Sequence, residues 1–564
     1  MELKHSSNTV TLLIGGEAGQ GIATVGNIFT KCLVRSGYSI VVTQSYQSRI
    51  RGGHNTYAIR IGTDKVIAPD ESVDILIALN QETAKIHEKE LSNEGLIIID
   101  EVFEFSNDSC IKVPFKQLGT GIFSNIVALG VVSSIIGLNE DVVSEIVNKF
   151  LGKMDQKTIE RNQQVIVEAF KWTNKQSISF QKLPKISNPP DCLVMNGNEA
   201  IALGALSAGL KFYSFYPMTP ATSIAVTLAG KAKRMGIIVE QAEDEISAIN
   251  MALGASFAGA ASMVSTSGGG FALMVEGISL AAMTETPIVI VIAQRPAPAT
   301  GLPTRTEQSD LEFVLHSGHG EFPRAIFTPG TIEDCFHLTH KAFELSERYQ
   351  SPVFILTDQF LADSYRNVKP FDINNLSAVN PGFHENIYPS PYRRYSITKS
   401  GVSPRLLPGN SEHLVIVDSD EHTEDGHITE DLTVRINMVN KRLQKEKGII
   451  NDVIKPWIYG DEKPDLLMVC WGSSKGAVIE AASNFRSRGK RVSTLHFSQV
   501  WPLVPEHFIS HLQEARDVVC IEGNATGQMA RLIRRETGFL IEKKVLRYDG
   551  LPITPEYILE KLTE

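Results

Sequence analysis

Cysteine is scarce in this chain and poorly placed for metal or disulfide chemistry. The six residues Cys32, Cys110, Cys192, Cys335, Cys470 and Cys520 are scattered, and no two form a CxxC pair. That excludes a disulfide framework and a zinc or iron–sulfur ligand set. Cys470 and Cys520 end the apolar runs LLMVC and VVC and read as core packing; scattered reduced thiols fit a cytosol. Long apolar runs are missing too. Thr9 to Ile14 is too short for a secretory signal, and Ile288 to Ala293 is only strand-length. No segment is expected to span a bilayer, so a cytoplasmic protein without a membrane partner is expected. Positive charge is not in excess: the net charge is −10 and the pI about 5.8, which argues against nucleic acid as a partner.

What is present is an α/β pattern. Apolar content of 43% and charged content of 21% are those of an ordinary globular chain, and 564 residues exceed one core and call for three domains, or four. Short β-branched runs (VTLLIGG, YSIVVTQSY, VDILIALN, LIIIDE, TPIVIVIAQ, SPVFILTD, DLLMVCWG, DVVCIEG) alternate with helical patterns. They read as buried parallel strands joined by helices. Residues 174–191 are polar, end in Pro189-Pro190 and look like a linker; residues 370–412, rich in Pro, Asn, Ser and Tyr, are a linker or a functional loop. These breaks place domains at 1–175, 190–370 and 410–564. No repeat of fixed period stands out.

Several strand-to-helix turns carry chemistry. In Phe215-Tyr216-Pro217-Met218-Thr219-Pro220-Ala221-Thr222 the two prolines stiffen the turn and disfavour helix before them. Thr219 and Thr222 either hold a small polar ligand at a helix N-terminus or cap the following helix. Gly15-Gly16-Glu17-Ala18-Gly19-Gln20-Gly21 follows a strand with the spacing GGxxGxG, not GxGxxG, and Thr43, Gln44 and Ser45 stand where an acid would end the second strand. Gly19 and Gly21 thus belong to a phosphate-cradling turn or to a turn needed for close packing. Arg49 and Arg51, before Gly52-Gly53-His54, bind an anion or pair with acids of a partner subunit. Glu243, Asp244 and Glu245 open a helix with a small-residue run, GASFAGAA, where a backbone or planar ligand comes near. Ser265-Thr266-Ser267-Gly268-Gly269-Gly270-Phe271 is a second hydroxyl- and glycine-rich turn. Arg305, in the proline-studded loop after Gln294, is the carboxylate-binding candidate.

The order YPMTPAT, EDEISAINMALGASFAGA, STSGGGF, TGLPTRTEQSDL closely resembles the alpha subunit of 2-oxoacid:ferredoxin oxidoreductases, in the 2-oxoglutarate type with a gamma domain fused ahead of alpha. GGEAGQGI, RIRGGH and NIVALG resemble the gamma domain. DSDEHTEDGHITED and the region WGSSKGAVIEAA…HFSQVWPLVP…EGNATGQ resemble the C-terminal, transketolase-C-like part of alpha. The middle domain is then a pyrimidine-side thiamine-diphosphate domain. The resemblance implies oxidative decarboxylation of a 2-oxoacid, with transfer of the acyl group to CoA and of electrons to ferredoxin. It implies that Glu245, or alternatively Glu243, meets N1′ of the aminopyrimidine and favours the tautomer that deprotonates the thiazolium carbon. Tyr216, Pro217, Ser267 and Gly268 would lie against the cofactor. Thr219, Thr222 and Arg305 would hold the 2-oxoacid, and Gly19, Gly21, Arg49 and Arg51 would contact CoA or another subunit. The chain lacks the GDG motif that anchors Mg²⁺ in this cofactor class. The family places Mg²⁺ and a 4Fe–4S cluster on a separate beta subunit, in an (alpha-beta)2 assembly, so no metal is expected here.

One run departs from the family pattern: Arg295-Pro296-Ala297-Pro298-Ala299 stands where relatives often carry Arg-Gly-Gly-Pro-Ser. That leaves pyruvate or a branched-chain 2-oxoacid as alternative substrates. A nicotinamide-dependent dehydrogenase and a non-catalytic scaffold for the beta chain are the rival functions.

Overall fold

Val- and Ile-rich runs become strands, and Ala/Gly-rich or amphipathic runs between them become helices, in the computed structural model of the protein. It describes residues 9–47, 53–119, 124–152, 155–379 and 391–563. The chain falls into two compact units. The first comprises Met1–Met195, Ser364–Pro370 and Thr554–Tyr557; the second comprises Asn196–Asp363, Phe371–Ile553 and Ile558–Glu564.

The first unit is built on an eight-stranded sheet. Its spatial order is Cys110–Val113, Leu91–Asp100, Val73–Ala78, Thr9–Glu17, His54–Gly62, Ser39–Ser45, Arg366–Val368 and Leu193–Met195. Thr9–Glu17 is parallel to Val73–Ala78 and antiparallel to His54–Gly62. The run YSIVVTQSY departs from the parallel reading, because Ser39–Ser45 pairs antiparallel with His54–Gly62. Residues 46–53 alone link these strands. So short a link cannot hold a crossover helix and joins antiparallel neighbours. The Ser124–Ile136 helix is apolar on every side and is buried from Ile126 to Ile136, as an inner helix must be.

The second unit carries two sheets over one continuous apolar core. Ile249, Phe271, Ile290 and Phe354 belong to the same cluster as Val469, Trp471 and Phe497, each side chain contributing about 1.5–3 kcal/mol by burial. The seven-stranded sheet has the order Gln499–Trp501, Ala325–Phe327, Pro352–Asp358, Ile288–Gln294, Ser262–Thr266, Phe212–Phe215 and Ile238–Gln241. All its pairs are parallel except that of Gln499–Trp501 with Ala325–Phe327. The five-stranded sheet has the order Trp457–Gly460, Val492–Phe497, Leu466–Trp471, Asp517–Glu522 and Lys543–Leu546. From Phe212–Phe215 the chain steps outward to Ile238–Gln241, then returns to Ser262–Thr266 and steps outward the other way. The connections therefore diverge between Phe215 and Thr266, and such a switch point opens a crevice at the carboxyl ends of the strands.

Buried charges tie the Leu432–Asn451 helix to this unit. Lys441 Nζ lies 2.6 Å from Glu285 Oε1, Lys445 also pairs with Glu285, and Arg394 donates to the Glu285 carbonyl at 2.8 Å. Burial pushes the Glu285 carboxyl up, but Lys445, Lys441 and Arg394 outweigh it and hold that carboxyl well below the usual range. No helix among the described residues is long and apolar enough to cross a membrane.

Candidate active site

The first wall of the crevice is the turn after Phe215. It runs from exposed Tyr216 and Pro217, through half-buried Met218 and Thr219 and buried Pro220, into the Thr222–Met235 helix. The cap position of that helix is Ala221, which makes no side-chain cap bond. The hydroxyls of Thr219 and Thr222 have no hydrogen-bond partner among the described residues. Neither threonine is therefore spent on capping, and both remain able to meet a ligand.

The second wall is the Glu245–Phe257 helix. Asp244 caps it, accepting from Ser247 N at 2.7 Å, as a short carboxylate does at that position. The cap fixes the register of the acidic run. Glu243 is left exposed, whereas Glu245 is the first helical residue and is 3% exposed. Glu245 Oε1 has no hydrogen-bond partner among the described residues. Burial raises the Glu245 carboxyl above its ordinary range, and the charge of Asp244 adds to the rise. Its carboxyl lies over Gly270, where any Cβ would overlap Glu245 Oε1 and Thr266 Oγ1.

Gly270 stands in the first turn of the Gly268–Met283 helix, and that turn gathers further unsatisfied groups. Ser267 precedes it without making a cap bond; its hydroxyl is buried and unpaired among the described residues. A Cβ on Gly268 would overlap the Asp310 carboxyl. Asp310 is buried, and its Oδ2 is unpaired among the described residues. Burial and the charge of Glu307 push Asp310 up to about 6, with Arg295 opposing. Buried polar atoms in folded proteins are almost always bonded. Glu245 Oε1, Ser267 Oγ and Asp310 Oδ2 are therefore three unsatisfied polar groups around one helical turn.

The third wall is the loop 295–310. Arg295 is buried, and its Nη1 donates to Thr219 O at 2.6 Å. Arg305 is half-buried and its side chain makes no hydrogen bond or ion pair among the described residues. Its backbone is pinned on both sides, Arg305 N to Leu302 O at 3.2 Å and Thr306 N to Gly550 O at 3.2 Å. Gln308 clamps the far end, donating to Trp471 O at 3.1 Å and accepting from Gly523 N at 2.9 Å. Glu245, Ser267 and Gly268 thus come together around one helical turn. Thr219 is tied to the third wall through Arg295, whereas the Arg305 stem packs beside Gly550. Sequence reasoning named Arg295 without giving it a role and passed over Asp310 and Asn198. A cation and an acid bracketing a Pro/Ala/Thr-rich loop after a fully buried strand were the available signal for the first two.

In the first unit, Gly19 and Gly21 have φ of 100° and 77°. Gly21 caps the Ile22–Arg35 helix without a side-chain bond, and no acid stands in its first turn. Arg49 and Arg51 lie outside the described residues.

Residues 203–441 match the family described as Pyruvate flavodoxin/ferredoxin oxidoreductase, thiamine diP-bdg, and residues 11–172 match Pyruvate ferredoxin/flavodoxin oxidoreductase. The 2-oxoacid:ferredoxin oxidoreductase subunit alpha of a Sulfolobus species is 30% identical, over 98% of this chain and 96% of the relative. The 2-oxoglutarate oxidoreductase subunit KorA of Mycobacterium tuberculosis is 29% identical, over 93% of this chain and 87% of the relative. The solved 2-oxoglutarate:ferredoxin oxidoreductase from Magnetococcus marinus, with 2-oxoglutarate, coenzyme A and succinyl-CoA bound, is 29% identical and superposes with a TM-score of 0.93 over 99% of both chains.

Proposed function

This chain belongs to the 2-oxoacid:ferredoxin oxidoreductases as an alpha subunit, part of a thiamine-diphosphate enzyme, and from that premise we propose that it supplies the aminopyrimidine side of a cofactor site shared with a beta subunit. One observation carries the reading: a buried carboxyl, Glu245, with an unpaired oxygen at the carboxyl ends of parallel strands. A basic ring nitrogen is what such a group needs, so the residues present fit the cofactor. When bound, thiamine diphosphate supplies the electron sink through which a 2-oxoacid loses CO₂.

The chain's own residues divide the work. Glu245 holds a proton at N1′, a task suited to a carboxyl raised above its ordinary range. Tyr216, Pro217, Ser267 and Gly268 bound the ring and fix its orientation. Arg305 grips the substrate carboxylate with its planar fork, and the Thr219 and Thr222 hydroxyls orient the 2-oxo group. Mg²⁺ and a 4Fe–4S cluster reside on the beta subunit, ferredoxin accepts the electrons, and CoA accepts the acyl group. Gly19 and Gly21, with Arg49 and Arg51, contact CoA or another subunit. The complex is a cytoplasmic (alpha-beta)2 assembly.

The substrate is 2-oxoglutarate, the acid named in both the Mycobacterium relative and the Magnetococcus structure. CoA-dependent ferredoxin reduction by the assembled enzyme, compared across 2-oxoglutarate, pyruvate and 2-oxoisovalerate, tests this. The highest kcat/KM is expected for 2-oxoglutarate. Preference for either other acid would overturn the substrate. A complex that forms and oxidises none of them would make this chain a scaffold.

A further inference from the structure

Two histidines of the first unit form a chain of hydrogen bonds that the proposed function does not use. His54 opens the His54–Gly62 strand, and His87 ends the Gln81–His87 helix. Their Nε2 atoms face each other at 2.7 Å, with ring centroids 4.9 Å apart. On one side His87 Nδ1 lies 2.7 Å from Glu90 Oε2. On the other, His54 Nδ1 lies 3.5 Å from Thr83 Oγ1, whose own hydrogen is donated to Asn80 Oδ1 at 2.8 Å. Both imidazoles are half-buried.

A carboxylate can only accept, so His87 carries its hydrogen on Nδ1. Its Nε2 is then the bare acceptor, and His54 donates from Nε2. A first extra proton can enter at His54 Nδ1, where Thr83 Oγ1 accepts, and the bond between the rings survives. A second has only His87 Nε2 left. There it would set two N–H groups of two cations head to head, so the rings must part. The pair therefore titrates as one unit in two steps. Burial lowers the His54 imidazole below its ordinary range, the His87 charge lowers it further, and Glu82 and Glu90 oppose. Glu17 stands opposite His54 in the sheet register. Lys85, Glu88 and Lys89 are the other charged groups on the helix and turn that carry His87. A group lowered in the closed state takes up protons more readily in the open one. The closed state thus loses stability as the pH falls from the ordinary histidine value of about 6.5.

Little else ties the helix end to the sheet. Only Thr83 and Ala84 of that helix are buried, and Ile86 is exposed. Thr83 and His54 also press on the first glycine of the N-terminal turn: a Cβ on Gly15 would overlap Thr83 Cγ2 and lie 3.3 Å from His54 Cε1. We propose that His54 and His87 form a pH-sensitive latch in the first unit, closed while the facing nitrogens share one hydrogen. It opens once both rings are cationic and frees the helix end and the Glu88–Glu90 turn from the start of the His54–Gly62 strand. The latch does not rest on the reading of the thiamine site.

Backbone hydrogen–deuterium exchange of the full-length chain, read by mass spectrometry, tests it. The two conditions are about pH 7.5 and about pH 5, on either side of the ordinary histidine value, with rates corrected for the intrinsic pH dependence of exchange. In wild type, residues 81–90 are expected to lose protection by roughly tenfold or more at the lower pH, as a local opening does, while the Val73–Ala78 strand keeps its protection. Glutamine can accept the His54 hydrogen and does not titrate, so His87→Gln should show no pH-dependent loss. His54→Gln reads the same quantity if His87→Gln is poorly folded. Equal protection of residues 81–90 at both pH values in wild type, the wild-type loss persisting in the glutamine variants, or a loss shared by Val73–Ala78 would overturn the inference.

Discussion

A half-buried guanidinium without a partner and a buried one bonded to a carbonyl are suited to different work, and one loop carries both. Arg305 has its fork free among the described residues, while its backbone is pinned by Leu302 and Gly550. Arg305→Lys is expected to raise KM for the 2-oxoacid and leave thiamine diphosphate affinity nearly unchanged. Lysine is a point charge and cannot reproduce two parallel bonds, and one charge-assisted contact is worth about 1.5–3 kcal/mol. Steady-state kinetics beside a cofactor titration would show it; an unchanged KM with weakened cofactor would move Arg305 to another role. At this scale the sequence displays which residue types are present and hides their partners. The acid run before an Ala/Gly helix pointed to Glu243 and Glu245, but which of them is buried depends on Asp244 acting as the cap. The hydrogen bond of Arg295 was invisible because its acceptor, Thr219 O, is 76 residues away along the chain.

Elements were legible where burial on both faces leaves a continuous apolar run. TPIVIVIAQ and SPVFILTD became the neighbouring strands Ile288–Gln294 and Pro352–Asp358, buried at every residue. The strand His54–Gly62 went unmarked because its residues alternate between half-buried and buried positions over much of its length, and the orientation of its partner was decided by the short link between them. The Leu432–Asn451 helix is another case. Its apolar residues do not show what it docks against, since the contact is ionic: Lys441 and Lys445 on Glu285. Glu285→Gln leaves two buried lysines without a carboxylate, and breaking a buried ion group from one side costs about 3–5 kcal/mol. Calorimetry is expected to show a marked fall in melting temperature for this variant. A melting temperature equal to wild type would mean that the helix is held by its apolar contacts alone.

For the whole molecule, the joint order of motifs was legible as a family, while the path of the chain through its two units was not. Arg366–Val368 joins the first unit's sheet between Ser39–Ser45 and Leu193–Met195, and three residues are too few to show a hydrophobic period. In the proposed function Glu245 supplies only one side of the chemistry, so the purified chain alone is expected to show no 2-oxoacid oxidation. Activity should appear when a beta chain is added with thiamine diphosphate, Mg²⁺ and its 4Fe–4S cluster; full turnover by the isolated chain would contradict a shared site. The most direct test of the central claim is hydrogen–deuterium exchange at C2 of thiamine diphosphate bound to the assembled enzyme, measured for wild type, Glu243→Gln and Glu245→Gln. Glutamine keeps the shape of Glu245 but cannot hold a proton at N1′. The account predicts normal cofactor binding in both variants, normal exchange in Glu243→Gln, and exchange slowed by roughly two to four orders of magnitude in Glu245→Gln; wild-type exchange in Glu245→Gln would contradict it.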